Sequence, residues 1–282
     1  MRFIQGFVRC LDDVSKEKLT IGKNAELFKL LKADIEAGNV FPAVRKNELY
    51  FYYLGGCLYK FARRYFSRDK NWEKFGVNTQ ELTPYEKAKN EVENKFKHMH
   101  GGSAERWMLN RLYCYTFNPE LKSKVVVLDI EVNLKGAIGG GKKCDLVLLN
   151  TETNELMFVE GKVFADPRVK CKVGSTPEVI EQVNIYTAAL AEQRQVIIEQ
   201  YGENVRIIND LFGTSYNPPK TLIEPAKLLV YETDFLNLTV NGNYSIETIN
   251  QDLGSGNVMW VEKGNEPTLE EIWTALSGTL CK

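Results

Sequence analysis

The chain has 282 residues, of which 44% are hydrophobic and 26% charged. That length can bury a proper core, in one large domain or in a core with a smaller attachment, and the composition excludes both a disordered chain and one that depends on covalent staples. A formal net charge of -1 excludes global attraction to nucleic acid, so any such binding must come from a local basic surface.

The N-terminus, MRFIQGFVRCLDDVSKEK, meets charge too soon to supply the apolar stretch of a signal peptide. No later run approaches the roughly 18 apolar residues of a membrane span. The expectation is a cytoplasmic protein with no membrane partner. Cys10, Cys57, Cys114, Cys144, Cys171 and Cys281 lie far apart, without a CxxC pair or a histidine cluster to complete a zinc site, so they read as reduced thiols, mostly in the core.

In chain order, the first pattern is a helix over residues 24–37. A β-meander follows, with strands at 40–45, 48–54 and 57–61, and turns at Lys46-Asn47 and Gly55-Gly56. Between Arg45 and Lys74 basic residues (Arg45, Lys46, Lys60, Arg63, Arg64, Arg68, Lys70, Lys74) outnumber acidic ones, with aromatic residues among them. A solvated surface over an aromatic core and a phosphate-contacting surface both fit that pattern. A second helix is predicted over 84–98, rich in Lys and Glu. Gly101-Gly102-Ser103 then breaks it and offers Ser103 as the N-cap of a helix over 104–115.

Three runs rich in β-branched and apolar residues come next, at 125–134, 143–149 and 156–164. Their short links, 136–142 and 150–155, favour antiparallel hairpins. The first link, Gly136 to Lys142, nearly matches a phosphate-binding loop but is followed by Lys143 and an apolar strand instead of Ser or Thr and a helix. It reads as a hairpin turn. A long helix over 177–200 carries Val179, Val183, Tyr186, Leu190 and Ile197 on broadly one side, and a strand at 227–232 closes the core. From Phe235 onward the pattern suggests a small β segment and a final helix over 268–276. The order helix, three strands, helix, strand predicts an α/β fold with a mixed central sheet flanked by helices, plus a small N-terminal α+β accessory region. The corresponding divisions are residues 1–98, 99–235 and 236–282.

Glu160 and Lys162 stand two apart in a predicted strand, so both side chains leave the same face. Asp145 opens the preceding strand, and a hairpin brings it beside Glu160. Two carboxylates about 4 Å apart repel by roughly 4 kcal/mol at an effective dielectric of 20, so a cation must offset them. Lys162 alone can do this in a buried ionic network. A divalent ion can do it too, and all-oxygen ligation favours Mg2+ or Mn2+ over zinc. His98 and His100 are the only histidines, which makes a histidine-based nucleophilic triad improbable.

Asp145 followed by Glu160-Gly161-Lys162 on the next strand resembles the PD-(D/E)xK nuclease superfamily, and the order of elements over roughly residues 99–235 resembles its restriction-endonuclease-like core. Gln182 and Tyr186, on the helix after those strands, are similar to the Gln-x-x-x-Tyr element of the RecB-like branch. Glu105, near the start of the helix before the strands, stands where the superfamily often has an acidic residue. Cys144 departs from the pattern, standing in place of the proline. The resemblance implies a Mg2+- or Mn2+-dependent nuclease acting on nucleic acid, with DNA the expected substrate. It implies metal ligation by Asp145, Glu160, the Gly161 carbonyl and Glu105. Lys162 would act on the attacking water, and Gln182 and Tyr186 would orient the site or the bound strand. Arg168, Lys170 and Lys172, just after the catalytic strand, are the expected phosphate contacts. Glu131, on the first strand, is a spare acidic candidate. The alternative is a catalytically silent nucleic-acid-binding or assembly protein on the same fold.

Overall fold

The computed structural model describes residues 7–68, 70, 73, 81–97, 102–113, 116–118, 123–134 and 143–278. The Gly136 to Lys142 link, His98, His100, Gly101, Lys74, Cys114 and Cys281 lie outside the described residues. The chain forms two compact units. Of the described residues, one holds those from 7 to 118 and from 199 to 218; the other holds those from 123 to 198 and from 219 to 278.

The first unit opens with helices α1 (Asp13–Leu19) and α2 (Gly22–Glu36). Asp12 caps α1 by accepting the Ser15 amide at 2.7 Å, which satisfies one of the orphan donors of the first turn. Strands β1 (Val40–Arg45), β2 (Glu48–Tyr53), β3 (Gly56–Ala62) and β4 (Tyr65–Ser67) follow as an antiparallel meander in sequential order. Pro42 lacks a ladder donor and sits in the edge strand β1, where that lack is tolerated. Leu49, Phe51, Phe61 and Phe66 alternate onto one face and are buried there. Helices α3 (Tyr85–Lys97) and α4 (Gly102–Tyr113) follow, and residues 199–218 also belong to this unit. α4 begins one residue ahead of the expected cap, Ser103. Its Tyr113 meets Phe41 edge-on at 5.4 Å, and its Asn110 accepts the Gly55 amide at 3.2 Å.

The second unit is built on strands β5 (Val125–Asn133), β6 (Lys143–Asn150) and β7 (Glu155–Val163), antiparallel as their short links predict. Helix α5 (Glu178–Phe212) leads to β8 (Thr221–Leu222) and β9 (Lys227–Thr233), both parallel to β7. The chain then adds α6 (Val240–Leu253), β10 (Val258–Glu262), parallel to β9, and α7 (Leu269–Ser277). The result is a mixed sheet in the order β10-β9-β7-β6-β5, with β8 beside β7. Leu146, Val147, Leu148 and Leu149 are all buried, which requires cover on both faces and explains why β6 reads as a continuous apolar run.

Three features differ from the sequence expectation. α5 continues twelve residues past the expected end at 200, through Gly202, because Val205, Ile207, Ile208 and Leu211 bury behind it. That burial outweighs the roughly 1 kcal/mol cost of a helical glycine. α6 was not expected, whereas the small β segment and final helix expected after Phe235 are present as β10 and α7. The unit boundaries also do not coincide with divisions at 98 and 235: α4 groups with the meander, while residues 236–282 group with the large sheet because β10 extends its ladder.

Candidate active site

Backbone pairing between β6 and β7 runs from Asn150↔Glu155 to Leu146↔Val159 and stops there, one step short of Asp145 and Glu160. Beyond that point β6 keeps its partner β5, and β7 keeps its partner β9. Side chains take over where the ladder ends. Asp145 Oδ2 accepts the Gly161 amide at 2.9 Å. Across the same gap, Tyr186 of α5 donates its hydroxyl to the Lys143 carbonyl at 2.7 Å, and Gln182 Nε2 donates both to that hydroxyl, at 2.8 Å, and to Glu160 Oε1. Gln182 and Tyr186 are i and i+4 neighbours, so a single helix face presents both.

Lys162 lies between the carboxylates. Its ammonium is 3.7 Å from Asp145 Oδ2, donates to Glu160 Oε1, and donates to the Gly161 carbonyl at 2.7 Å. Glu160 and Lys162 are almost wholly buried, whereas the Asp145 side chain keeps 15% of its surface exposed. Burial raises the pKa of Asp145, although the Lys162 charge and the Gly161 N–H act in the opposite sense. Burial likewise pushes the Tyr186 phenol and the Cys144 thiol up. Cys144 is wholly buried, with its Sγ 3.4 Å from the Val159 carbonyl, and lies within the field of Glu160 and Asp145.

The remaining candidates divide. Arg168 lies within the field of Asp145, but its guanidinium is held by Asp166, with Nε at 3.0 Å from Oδ1 and Nη2 at 2.6 Å from Oδ2. Sequence reasoning missed Asp166. The available signal was the Asp-Pro-Arg spacing, in which an Asp can accept the amide two residues on, as Asp166 does from Arg168 N at 2.8 Å. Lys170 is exposed and sets its ammonium 5.2 Å over the Phe164 ring. Lys172 is exposed as well. Glu131 pairs with Lys143 at 2.8 Å and also reaches Asp145 electrostatically. Glu105 is half-buried in the first turn of α4 and belongs to the other compact unit. A wholly buried carboxylate on β5, Asp129, was not anticipated; it accepts the Ile130 amide at 2.8 Å.

Among the described residues no three His, Cys, Asp or Glu side chains converge as a metal set. The acidic donors brought together here are the pair Asp145 and Glu160, joined by the main-chain carbonyl of Gly161. These are all hard oxygen donors. Mg2+ is commonly bound through one or two carboxylates, with waters and substrate phosphates completing its shell, so the donor set fits. The Lys162 ammonium against both carboxylates marks a place where the fold already holds positive charge.

Comparison of the chain with protein-family models, with curated proteins and with solved structures finds no match.

Proposed function

We propose that this protein is a metal-dependent nuclease acting at the Asp145, Glu160 and Lys162 cluster, with DNA as its substrate and a core of the restriction-endonuclease-like class. The observation that carries the reading is the interruption of the β6–β7 ladder, filled by two carboxylates, a lysine, a glutamine and a tyrosine. Replacing a buried ionic network by packed apolar side chains is often neutral or stabilising. A sheet that keeps five polar side chains at one opening, with Asp145 partly exposed, supports chemical use.

Asp145, Glu160 and the Gly161 carbonyl would hold Mg2+ or Mn2+, which when bound polarises a phosphate and lowers the pKa of an attacking water. Lys162 orients that water and offsets negative charge that develops in the transition state. Gln182 fixes the Glu160 carboxylate, and Tyr186 ties Gln182 to the start of β6. Arg168 takes a backbone phosphate once it exchanges part of its clamp on Asp166.

Metal titration tests the reading against the silent alternative. Mn2+ binding followed by paramagnetic resonance should saturate in the native chain and weaken at least tenfold in Asp145→Asn. Equal, negligible binding in both would remove the metal site and favour the silent protein.

A further inference from the structure

We propose that one end of the meander, where the β1–β2 and β3–β4 turns meet, forms a docking surface for single-stranded nucleic acid. In this surface Tyr65 takes a base, and Lys46, Lys60, Arg63 and Arg64 take phosphates. The inference rests on the nuclease reading for its class of ligand and concerns binding alone.

Register brings the parts together. Arg45 pairs with Glu48, Glu48 with Ala62, and Ala62 with Tyr65, so the β1–β2 turn and the β3–β4 turn share one end of the sheet. Lys46, Arg63 and Arg64, remote in sequence, gather there and are exposed. On the face that does not bury Leu49, Phe51 and Phe61, Tyr50 and Tyr52 are half-buried beside buried Ala43 and Phe41, and their rings lie 6.4 Å apart and 20° from parallel, so they pack the sheet and leave Tyr65 as the ring open to solvent. Tyr65 is 61% exposed, and Lys60 holds its ammonium 4.9 Å over the Tyr50 ring. Glu48, paired with Lys60 at 2.8 Å, and Asp12, within the field of Arg64, temper these four cations without balancing them. An exposed ring beside cations is what an unpaired strand uses: every base has a stacking face, which a duplex hides.

The β3–β4 turn adds an independent argument. Arg63 and Arg64 are its two central residues, with φ of 51° and 73°. A two-residue turn of this kind favours Asn-Gly, because side chains with a Cβ crowd the backbone at positive φ. The neighbouring β2–β3 turn meets the same demand with Gly55 in its second position. Leu54 takes the first position of that turn at a φ of 48°, but the β3–β4 turn has no glycine at either position, and its two arginines are both exposed.

Fluorescence anisotropy in EDTA, where no metal-dependent cleavage occurs, measures binding of a labelled oligothymidylate and of a duplex across a salt series. The double variant Arg63→Asn, Arg64→Gly installs the residues the turn prefers, so its Tm should equal or exceed that of the native chain. Its affinity for the single strand should nevertheless fall, with the slope of log K against log salt reduced by roughly 1.4, about 0.7 for each lost phosphate contact. Tyr65→Ala, at an exposed position, should weaken binding about tenfold. The proposal is overturned if both variants bind the single strand as the native chain does with an unchanged salt slope, or if the native chain prefers duplex or binds neither. Binding lost in the turn variant of a chain that cuts no DNA would overturn the nuclease reading alone. Cutting that depends on Lys162, with binding untouched by the turn variant, would overturn only this surface.

Discussion

At the scale of single residues, Lys162 has two duties that substitution separates. It supplies the positive charge shared by Asp145 and Glu160, and in the proposed reaction it acts on water and phosphate. Lys162→Ala should therefore lose cleavage and also lose about 3–5 kcal/mol of stability in EDTA, the usual cost of leaving a buried charge without its partner. Mg2+ should return part of that loss, so thermal unfolding with and without metal should differ more in the variant than in the native chain. An identical shift in both would mean the carboxylates take no metal. Tyr186→Phe removes the hydroxyl that links Gln182 to the Lys143 carbonyl. We expect about 1–3 kcal/mol of destabilisation, as for an orphaned buried polar group, together with slower cleavage. Strand periodicity and the hairpin made Asp145, Glu160 and Lys162 legible as one cluster, whereas Gln182 and Tyr186 joined it only through the resemblance, because helix periodicity says that they share a face but not what that face meets. Asp166 was not, since its role follows from a turn geometry that leaves no periodic trace.

At the scale of elements, the strands were the most legible part, and the helices that read poorly have compositions that argue against them. α6 contains Asn241, Gly242, Asn243 and Asn250, all weak helix formers. What fixes it is the Thr239 cap and a buried stripe of Gly242, Ser245, Ile249 and Leu253, whose first two members carry too little apolar surface to register as a stripe. β4 is three residues long and cannot show an alternation. The region after residue 235 looked like an extension. A chain ending at residue 235 should instead be unstable and prone to aggregate: it loses the β10 ladder and the burial of Leu269, Ile272, Trp273 and Leu276, each worth about 1.5–3 kcal/mol. A soluble, cooperatively unfolding truncated chain would show the segment to be dispensable. In the other unit, α2 and α3 are joined through Asp34, which accepts from Tyr85 at 2.6 Å and from Lys89 at 2.7 Å. Burial alone would raise the Asp34 pKa, but the hydrogen bonds from Lys89, Tyr85 and Asn39 outweigh it and hold the carboxyl below its ordinary value. The folded state thus binds the proton less readily than the unfolded chain. The contribution is full above the unfolded value of about 3.9 and disappears as pH falls through the lower folded value. Asp34→Asn should flatten that acid limb of the stability profile, as read by denaturant unfolding between mild and strong acid.

At the scale of the whole molecule, the near-neutral charge of -1 means that contact with a polyanion depends on where cations gather. The sequence showed the basic and aromatic residues between Arg45 and Lys74 but left two readings open. Register decides which of them share a surface: Arg68 is buried against Glu91 at 3.2 Å, while Arg63 and Arg64 reach solvent at a turn. The α/β class and mixed sheet were legible from the order of elements. The two units were not, because their division depends on the contacts of α4, β10 and the last turns of α5, and pairing between segments distant in sequence has no local signature. The most direct test of the central claim is cleavage of linear and circular, single- and double-stranded DNA with Mg2+, Mn2+ or EDTA, comparing the native chain with Lys162→Ala. The account predicts cutting by the native chain with either metal, none in EDTA and none by the variant; a folded native chain that cuts nothing under any metal, or a variant as active as the native chain, would contradict it.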